Sequence, residues 1–201
     1  MEGSIVYTVG QNIYVNLTNR CPCSCEFCIR QRGDGIGSAD SLWLSGEPDA
    51  GDVLREIDRL GPEGANEIIF CGYGEPFCAL DVMLECCREI RKKYPGKTVR
   101  VNTNGLGDLI RGCDTAPMLK GLVDVISISL NTSDPVKYLS MCKPEFGEQS
   151  FPAMQAFALR CKSYVPKVVF SVVDVIGQED IARCQEIADG LGIALRVRHF
   201  E

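Results

Sequence analysis

Four cysteines fall within eight positions, in the run Cys21-Pro22-Cys23-Ser24-Cys25-Glu26-Phe27-Cys28. Inside it lies the spacing Cys21-x3-Cys25-x2-Cys28. Three thiolates on one tight loop can hold three irons of a [4Fe–4S] cube and leave the fourth iron open to a ligand. A cluster held by four cysteines chiefly carries electrons instead. Cys23 keeps a second reading open, since four thiolates could also hold zinc. The spacing is tighter than the usual paired zinc clips. Buried inert thiols are a poor account of this stretch, because Pro, Ser and Glu separate the cysteines.

A second candidate is Gly72-Tyr73-Gly74-Glu75-Pro76. Its glycines would let a ligand approach the main chain closely. Glu75 and the exposed carbonyls could accept hydrogen bonds from a ligand ammonium. Alone, the same residues make a plain Gly-Pro turn. Arg30 and Arg32, just past Cys28, could grip a substrate carboxylate or phosphate, or could serve only loop solubility.

The inventory excludes several classes. His199 is the only histidine, so Ser-His-Asp, Cys-His and His-rich zinc chemistry have no parts, and His199 itself reads as a surface residue. The chain holds 12 cysteines in 201 residues and no secretory signal, so a disulfide framework is not expected and a cytoplasmic location is. Cys71, Cys78 and Cys142 could line the site or hold a second cluster, but read better as buried structural thiols. Cys86, Cys87, Cys113, Cys161 and Cys184 read so more strongly. No apolar run is long enough to cross a membrane. A net charge of −6 does not suggest general nucleic-acid binding. The one basic run, Arg88, Arg91, Lys92, Lys93, Lys97 and Arg100, reads as a solvated face.

These residues need elements to position them. Six apolar, β-branched runs read as strands: 12–18, 67–71, 99–103, 123–130, 167–173 and 195–198. A further run at 5–9 could pair as a hairpin through Gly10. Helical patterns lie between them, at 49–60, 81–94, 148–164 and 179–191, with a shorter one near 116–121. Alternating strands and helices make a parallel α/β sheet of one domain over residues 1–201. A closed eight-stranded barrel typically needs about 250 residues, more than are present. In such folds the site lies at the C-terminal strand ends. Asn16 and Thr18 share one face of the first strand and are expected to point inward.

The cysteine loop after the first strand, with aromatic Phe27 before its last cysteine, resembles the radical S-adenosylmethionine (SAM) superfamily. Gly72-Tyr73-Gly74-Glu75-Pro76 after the second strand is similar to that family's GGEP motif, with Tyr for the second glycine. Asn102-Thr103-Asn104-Gly105 after the third strand is similar to its TNG segment. Ser127, Ser129 and Asn131 recur at period two and resemble the patch that holds the ribose or carboxylate of SAM. The fifth strand matches the adenine-side motif only loosely.

The resemblance implies an α/β fold, a partial (β/α)6 TIM barrel with outer helices. It implies a [4Fe–4S] cluster on Cys21, Cys25 and Cys28, and SAM held by Gly72, Tyr73, Gly74, Glu75, Pro76, Asn102, Thr103, Asn104, Ser127, Ser129 and Asn131. It implies reductive cleavage of SAM to a 5′-deoxyadenosyl radical that abstracts hydrogen from a substrate, with a flavodoxin- or ferredoxin-like protein as external electron donor. The YVNLTNRC stretch and Cys142-Lys143-Pro144 look like the small TatD-associated group, named for pairing with a TatD-type hydrolase. Six strands cannot close the ring, so a lateral gap is expected, able to admit a protein or macromolecular substrate. Two other readings stay open: an activating enzyme that places a radical on a partner protein, and a non-enzymatic module in which four cysteines hold zinc or an iron-sulfur group.

Overall fold

The computed structural model describes residues 3–31 and 35–199, so Arg32 lies outside the described residues. Its centre is a seven-stranded sheet whose order in space is the order in the chain. The strands are β1 (Val6–Val9), β2 (Asn12–Val15), β3 (Glu67–Phe70), β4 (Thr98–Thr103), β5 (Val125–Ser129), β6 (Lys167–Val173) and β7 (Ala194–Arg198). β1 and β2 form an antiparallel hairpin that turns at Gly10, where φ is +57°. From β2 to β7 every pairing is parallel. The sheet is open, an α/β partial barrel of six parallel strands with the hairpin strand added at one edge.

Among the described residues six α-helices lie between the strands: α1 (Ala50–Leu60), α2 (Leu80–Lys93), α3 (Gly107–Arg111), α4 (Pro135–Cys142), α5 (Ser150–Cys161) and α6 (Gln178–Leu191). α1 starts at a capping box, with Asp49 accepting from the Asp52 N–H and Asp52 reaching back, and stops at left-handed Gly61. The run near 116–121 is only a 3-10 turn over Ala116–Leu119. α3 and α4 were not expected from periodicity, being too short to show one. α4 did have a local signal: Asp134 caps the Val136 and Lys137 amides and Pro135 takes the first turn.

Strand alternation sorts the two faces of the sheet. Ile68, Phe70, Val99, Val101, Ile126, Ile128, Phe170 and Val172 belong to the main core beneath the helices. The alternate residues, among them Cys71, Arg100, Asn102, Ser127, Ser129, Ser171, Arg196 and Arg198, therefore face the inner side. This corrects the reading of Arg100 as part of a solvated basic face. Arg91, Lys92 and Lys93 do pair outside, with Asp124, Glu89 and Asp58. Arg100 instead pairs with Glu67 at 2.8 Å, both side chains largely enclosed.

The C-terminal ends of β2 and β3 interlock. Asn16 is fully buried, donates to the Ser4 and Leu42 carbonyls, and accepts from the Tyr73 amide. Thr18 donates to Glu47 and accepts from the Arg20 amide. Neither side chain opens into the barrel. They lock strand ends instead, because buried polar groups must find partners. A methyl on Gly72 would sit 2.1 Å from Asn16 Oδ1, and one on Gly74 would sit 2.1 Å from the Thr18 carbonyl oxygen. These glycines thus make room for this chain's own β2 end. Gly74→Ala is expected to cost on the order of 1–3 kcal/mol by overpacking. Gly46→Ala, with open space around it, should be near neutral. Urea midpoints of the two variants check this, and equal midpoints would contradict it.

Candidate functional site

The cysteine loop leaves the end of β2 and has little regular structure of its own. It is seated on the end of α4. Ser24 N donates to the Cys142 carbonyl at 3.0 Å, Glu26 N to the Met141 carbonyl at 2.9 Å, and Glu145 N to the Pro22 carbonyl at 2.7 Å. Cys23 and Pro144 form an isolated antiparallel bridge. Lys143 turns the chain there with φ of +45°, and its ammonium meets Glu26 at 3.0 Å. Cys142-Lys143-Pro144 is thus the saddle on which the cysteine loop rides.

Cys21, Cys25 and Cys28 are half-buried, whereas Cys23 is buried. The Cys23 amide lies 3.5 Å from the Cys21 sulfur, and the Asn104 amide lies 3.9 Å from the sulfur of Cys21 and 3.7 Å from that of Cys23. Hydrogen bonds from the Cys142 and Cys23 thiols draw Cys25 down to about 4, and one from Cys23 draws Cys21 down. The donors Cys23 and Cys142 move up in turn. Burial pushes Cys28 up. An open cavity of about 610 Å³, lined by Cys21, Arg20, Arg30 and Cys78 among others, leaves free volume beside it. Among the described residues no three Cys, His, Asp or Glu side chains are gathered to hold a single metal ion.

Glu75 is 3% exposed and spends its oxygens inside the protein. Oε1 accepts from the Thr103 hydroxyl at 2.6 Å and the Phe77 amide at 3.3 Å; Oε2 accepts from the Asn104 amide at 2.7 Å. It ties the turn after β3 to the segment after β4 and so orders the rim. Its amide also donates to the Arg20 carbonyl, which joins the rim to the cysteine loop. Tyr73 and Pro76 are buried, Tyr73 packing edge-on against Trp43 with ring centres 5.0 Å apart.

The remaining expected residues fall in three groups. Thr103 is buried and committed to Glu75 and Gly105. Asn102 faces the inner side with its Oδ1 buried and unpaired. Ser127 and Ser129 lie on that face too, and among the described residues their hydroxyls have no partner. Asn131 departs from the period-two pattern. β5 ends at Ser129, and Asn131 takes φ of +66°, a left-handed turn that Asn tolerates. Its amide then donates to the Cys142 sulfur at 3.2 Å, while Oδ1 stays buried and unpaired.

Arg30 is a brace: it donates to the Asn19 carbonyl and lies 5.3 Å over the Trp43 ring. Cys142 is buried as expected but touches the site. Cys71 and Cys78 are half-buried beside it, and Cys113 is exposed rather than buried. His199 is exposed and meets Asp174 at 2.8 Å. Inner-face residues missed from the sequence are Arg100, Ser171, Arg196 and Arg198. Their signal was the alternation within strands already recognised.

The radical SAM superfamily model matches residues 15–189. The chain belongs to the radical SAM superfamily. Membership makes it an enzyme whose cofactors are a [4Fe–4S] cluster and SAM. Among curated relatives, GTP 3′,8-cyclase 2 of Mycobacterium bovis is 26% identical over 207 aligned positions, covering 97% of this chain and 52% of that protein. Molybdenum cofactor biosynthesis protein 1 of Dictyostelium discoideum is 25% identical over 187, covering 93% and 28%. The chain thus spans about half, or less, of these relatives. The fold matches a radical SAM methyltransferase from Sphaerobacter thermophilus with a TM-score of 0.63 at 16% identity, covering 96% of this chain and 68% of that one. It also matches SuiB of Streptococcus suis, solved with S-adenosylmethionine, at 0.62 and 17%, covering 94% and 38%. No helix among the described residues is long and apolar enough to cross a membrane.

Burial lifts the Glu75 carboxyl from 4.5 to about 7, outweighing its three hydrogen bonds. The folded chain then holds a proton that the unfolded chain has released between these values. Stability from this group is present below pH 4.5 and lost as pH rises through about 7, a swing of up to about 3 kcal/mol. Denaturant midpoints of the metal-free chain, wild type against Glu75→Gln, should move in the variant's favour from pH 4 to 8. A gap that stays constant would mean the buried carboxylate is charged throughout.

Proposed function

We propose that residues 1–201 act as one radical SAM core in which Cys21, Cys25 and Cys28 hold the cluster. The observation that carries this reading is the C-x3-C-x2-C loop, fixed by α4 at the C-terminal rim, in a chain of this family. The donor set suits such a group: Cys21, Cys25 and Cys28 are half-buried, with free volume beside Cys21, while Cys23 is buried. When bound, the cluster and SAM supply one-electron cleavage of the sulfonium and a 5′-deoxyadenosyl radical able to take hydrogen from a substrate.

The chain's own residues orient and shield. Gly72–Pro76 and Asn102–Asn104 form the rim that receives the methionine end of SAM. Glu75 keeps the two segments in register from below, and Asn104 leans an amide on the cysteine sulfurs. Ser127, Ser129 and the unpaired Asn131 Oδ1 offer donors and an acceptor for ribose or carboxylate. An external electron donor, flavodoxin- or ferredoxin-like, completes the reaction, and the free cysteines suit a cytoplasmic setting. The TatD-associated group is our subgroup assignment, supported by the role of Cys142-Lys143-Pro144 as the loop's saddle, and it carries a functional link to a TatD-type hydrolase.

Anaerobic reconstitution with iron, sulfide, reductant and SAM tests this. Cys21→Ala, Cys25→Ala and Cys28→Ala should each abolish the cluster absorbance and 5′-deoxyadenosine formation. Cys23→Ala should retain both, because a fourth thiolate would close the open iron. Iron loss in Cys23→Ala equal to that of the other three would overturn the ligand assignment.

A further inference from the structure

The inner face of the sheet carries a charge imbalance that the cofactor residues do not explain. Arg100 on β4 and Arg196 and Arg198 on β7 share this face, Arg196 in register with Ser171 and Arg198 with Val173. Arg198 interacts electrostatically with Arg100, three strands away, and with Tyr14, five strands away. In a flat sheet, at roughly 4.8 Å per strand, β2 would lie about 24 Å from β7, beyond such an interaction. The sheet is therefore rolled, and β7 looks across a trough at β2, β3 and β4.

Among the described residues, one carboxylate in the trough is paired with these cations. Glu67 sits 2.8 Å from Arg100, and among the described residues the side chains of Arg196 and Arg198 have no ion pair or hydrogen bond. Unpaired polar atoms gather on the same face. Arg100 Nε and Asn102 Oδ1 are buried without partners. The Ser171 hydroxyl, 3% exposed as a residue, also has none among the described residues. Native structures seldom leave buried polar atoms unpaired without a reason. An oxyanion supplies the missing charge and the acceptor that Arg100 Nε and the Ser171 hydroxyl lack, while Asn102 Oδ1, itself an acceptor, calls for a donor elsewhere on the ligand; the planar guanidinium fork fits carboxylate and phosphate alike.

We propose that this trough holds the anionic end of the substrate, a phosphate or carboxylate, through Arg100, Arg196 and Arg198 with Ser171 beside them. The inference rests on the radical SAM reading for its chemistry. It places the charged end of the substrate inside the sheet, with the cofactor residues at the strand ends around its rim.

The test is calorimetric titration of the reconstituted full chain at low ionic strength with inorganic pyrophosphate and, separately, succinate. At least one should bind, tighter pyrophosphate binding marking a phosphate site and tighter succinate binding a carboxylate site. Arg196→Ala and Arg198→Ala should each weaken that binding at least tenfold, the loss of one charge-assisted hydrogen bond. Arg183→Ala, on outer helix α6 and paired with Glu179, should leave it unchanged. Both trough arginines are exposed, so their removal should preserve the circular dichroism spectrum. Binding of neither anion, or unchanged binding in both variants, overturns the proposal. SAM cleavage by the same wild-type sample separates the two readings. Cleavage without anion binding sinks the trough alone; anion binding without cleavage sinks the enzymatic reading on which the substrate assignment depends.

Discussion

The Glu75 carboxylate has three hydrogen bonds to accept and almost no water to help it. Its partners lie in two loops that leave two different strands. If those bonds fail, the turn after β3 and the segment after β4 lose their mutual register. Asn104 would then lose its place beside the cysteine sulfurs. A short buried network of this kind fixes geometry more tightly than apolar contact can, because an unpaired carboxylate in the interior is costly. The rim inherits its precision from that cost.

Close approach of backbone to side chain completes the same framework. Gly72 and Gly74 lie against Asn16 and Thr18, and Asn16 in turn ties the Ser4 and Leu42 carbonyls to the Tyr73 amide. Neighbouring parallel strands end about one strand spacing apart, so the loops above them compete for the same space. Small residues in one loop and a fully bonded amide in the other resolve that competition. Around this junction Tyr7, Leu42 and Tyr73 form a small core of their own, braced by Trp43 and Arg30.

The strands were legible because each is a short β-branched run between helical patterns, and all six parallel strands lie where such runs occur. The cysteine loop was legible because thiol spacing is a local property. Three features were hidden for physical reasons. α4 has only eight residues, too few for a periodic face, and its cap rather than its pattern announced it. Asn131 breaks the alternation by entering a left-handed turn, which one residue's backbone decides without a compositional sign. Whether Glu75 faces a ligand or orders the turn was left open by the sequence, because its burial depends on residues 28 and 29 positions further along the chain. The inner-face arginines could have been found by carrying period two through β4 and β7, since neighbours of opposite polarity there already marked the two faces.

The saddle at the end of α4 has a consequence for assembly. Backbone bonds from Ser24, Glu26 and Glu145 hold the loop in shape through protein contacts alone. The backbone of the loop is set before any cluster binds, and much of its ordering entropy is met during folding. A cluster held on this loop would meet an ordered backbone instead of a mobile segment. Damage to α4, more than a hundred residues from the cysteines in sequence, would therefore surface as slow or incomplete loading of an otherwise folded chain.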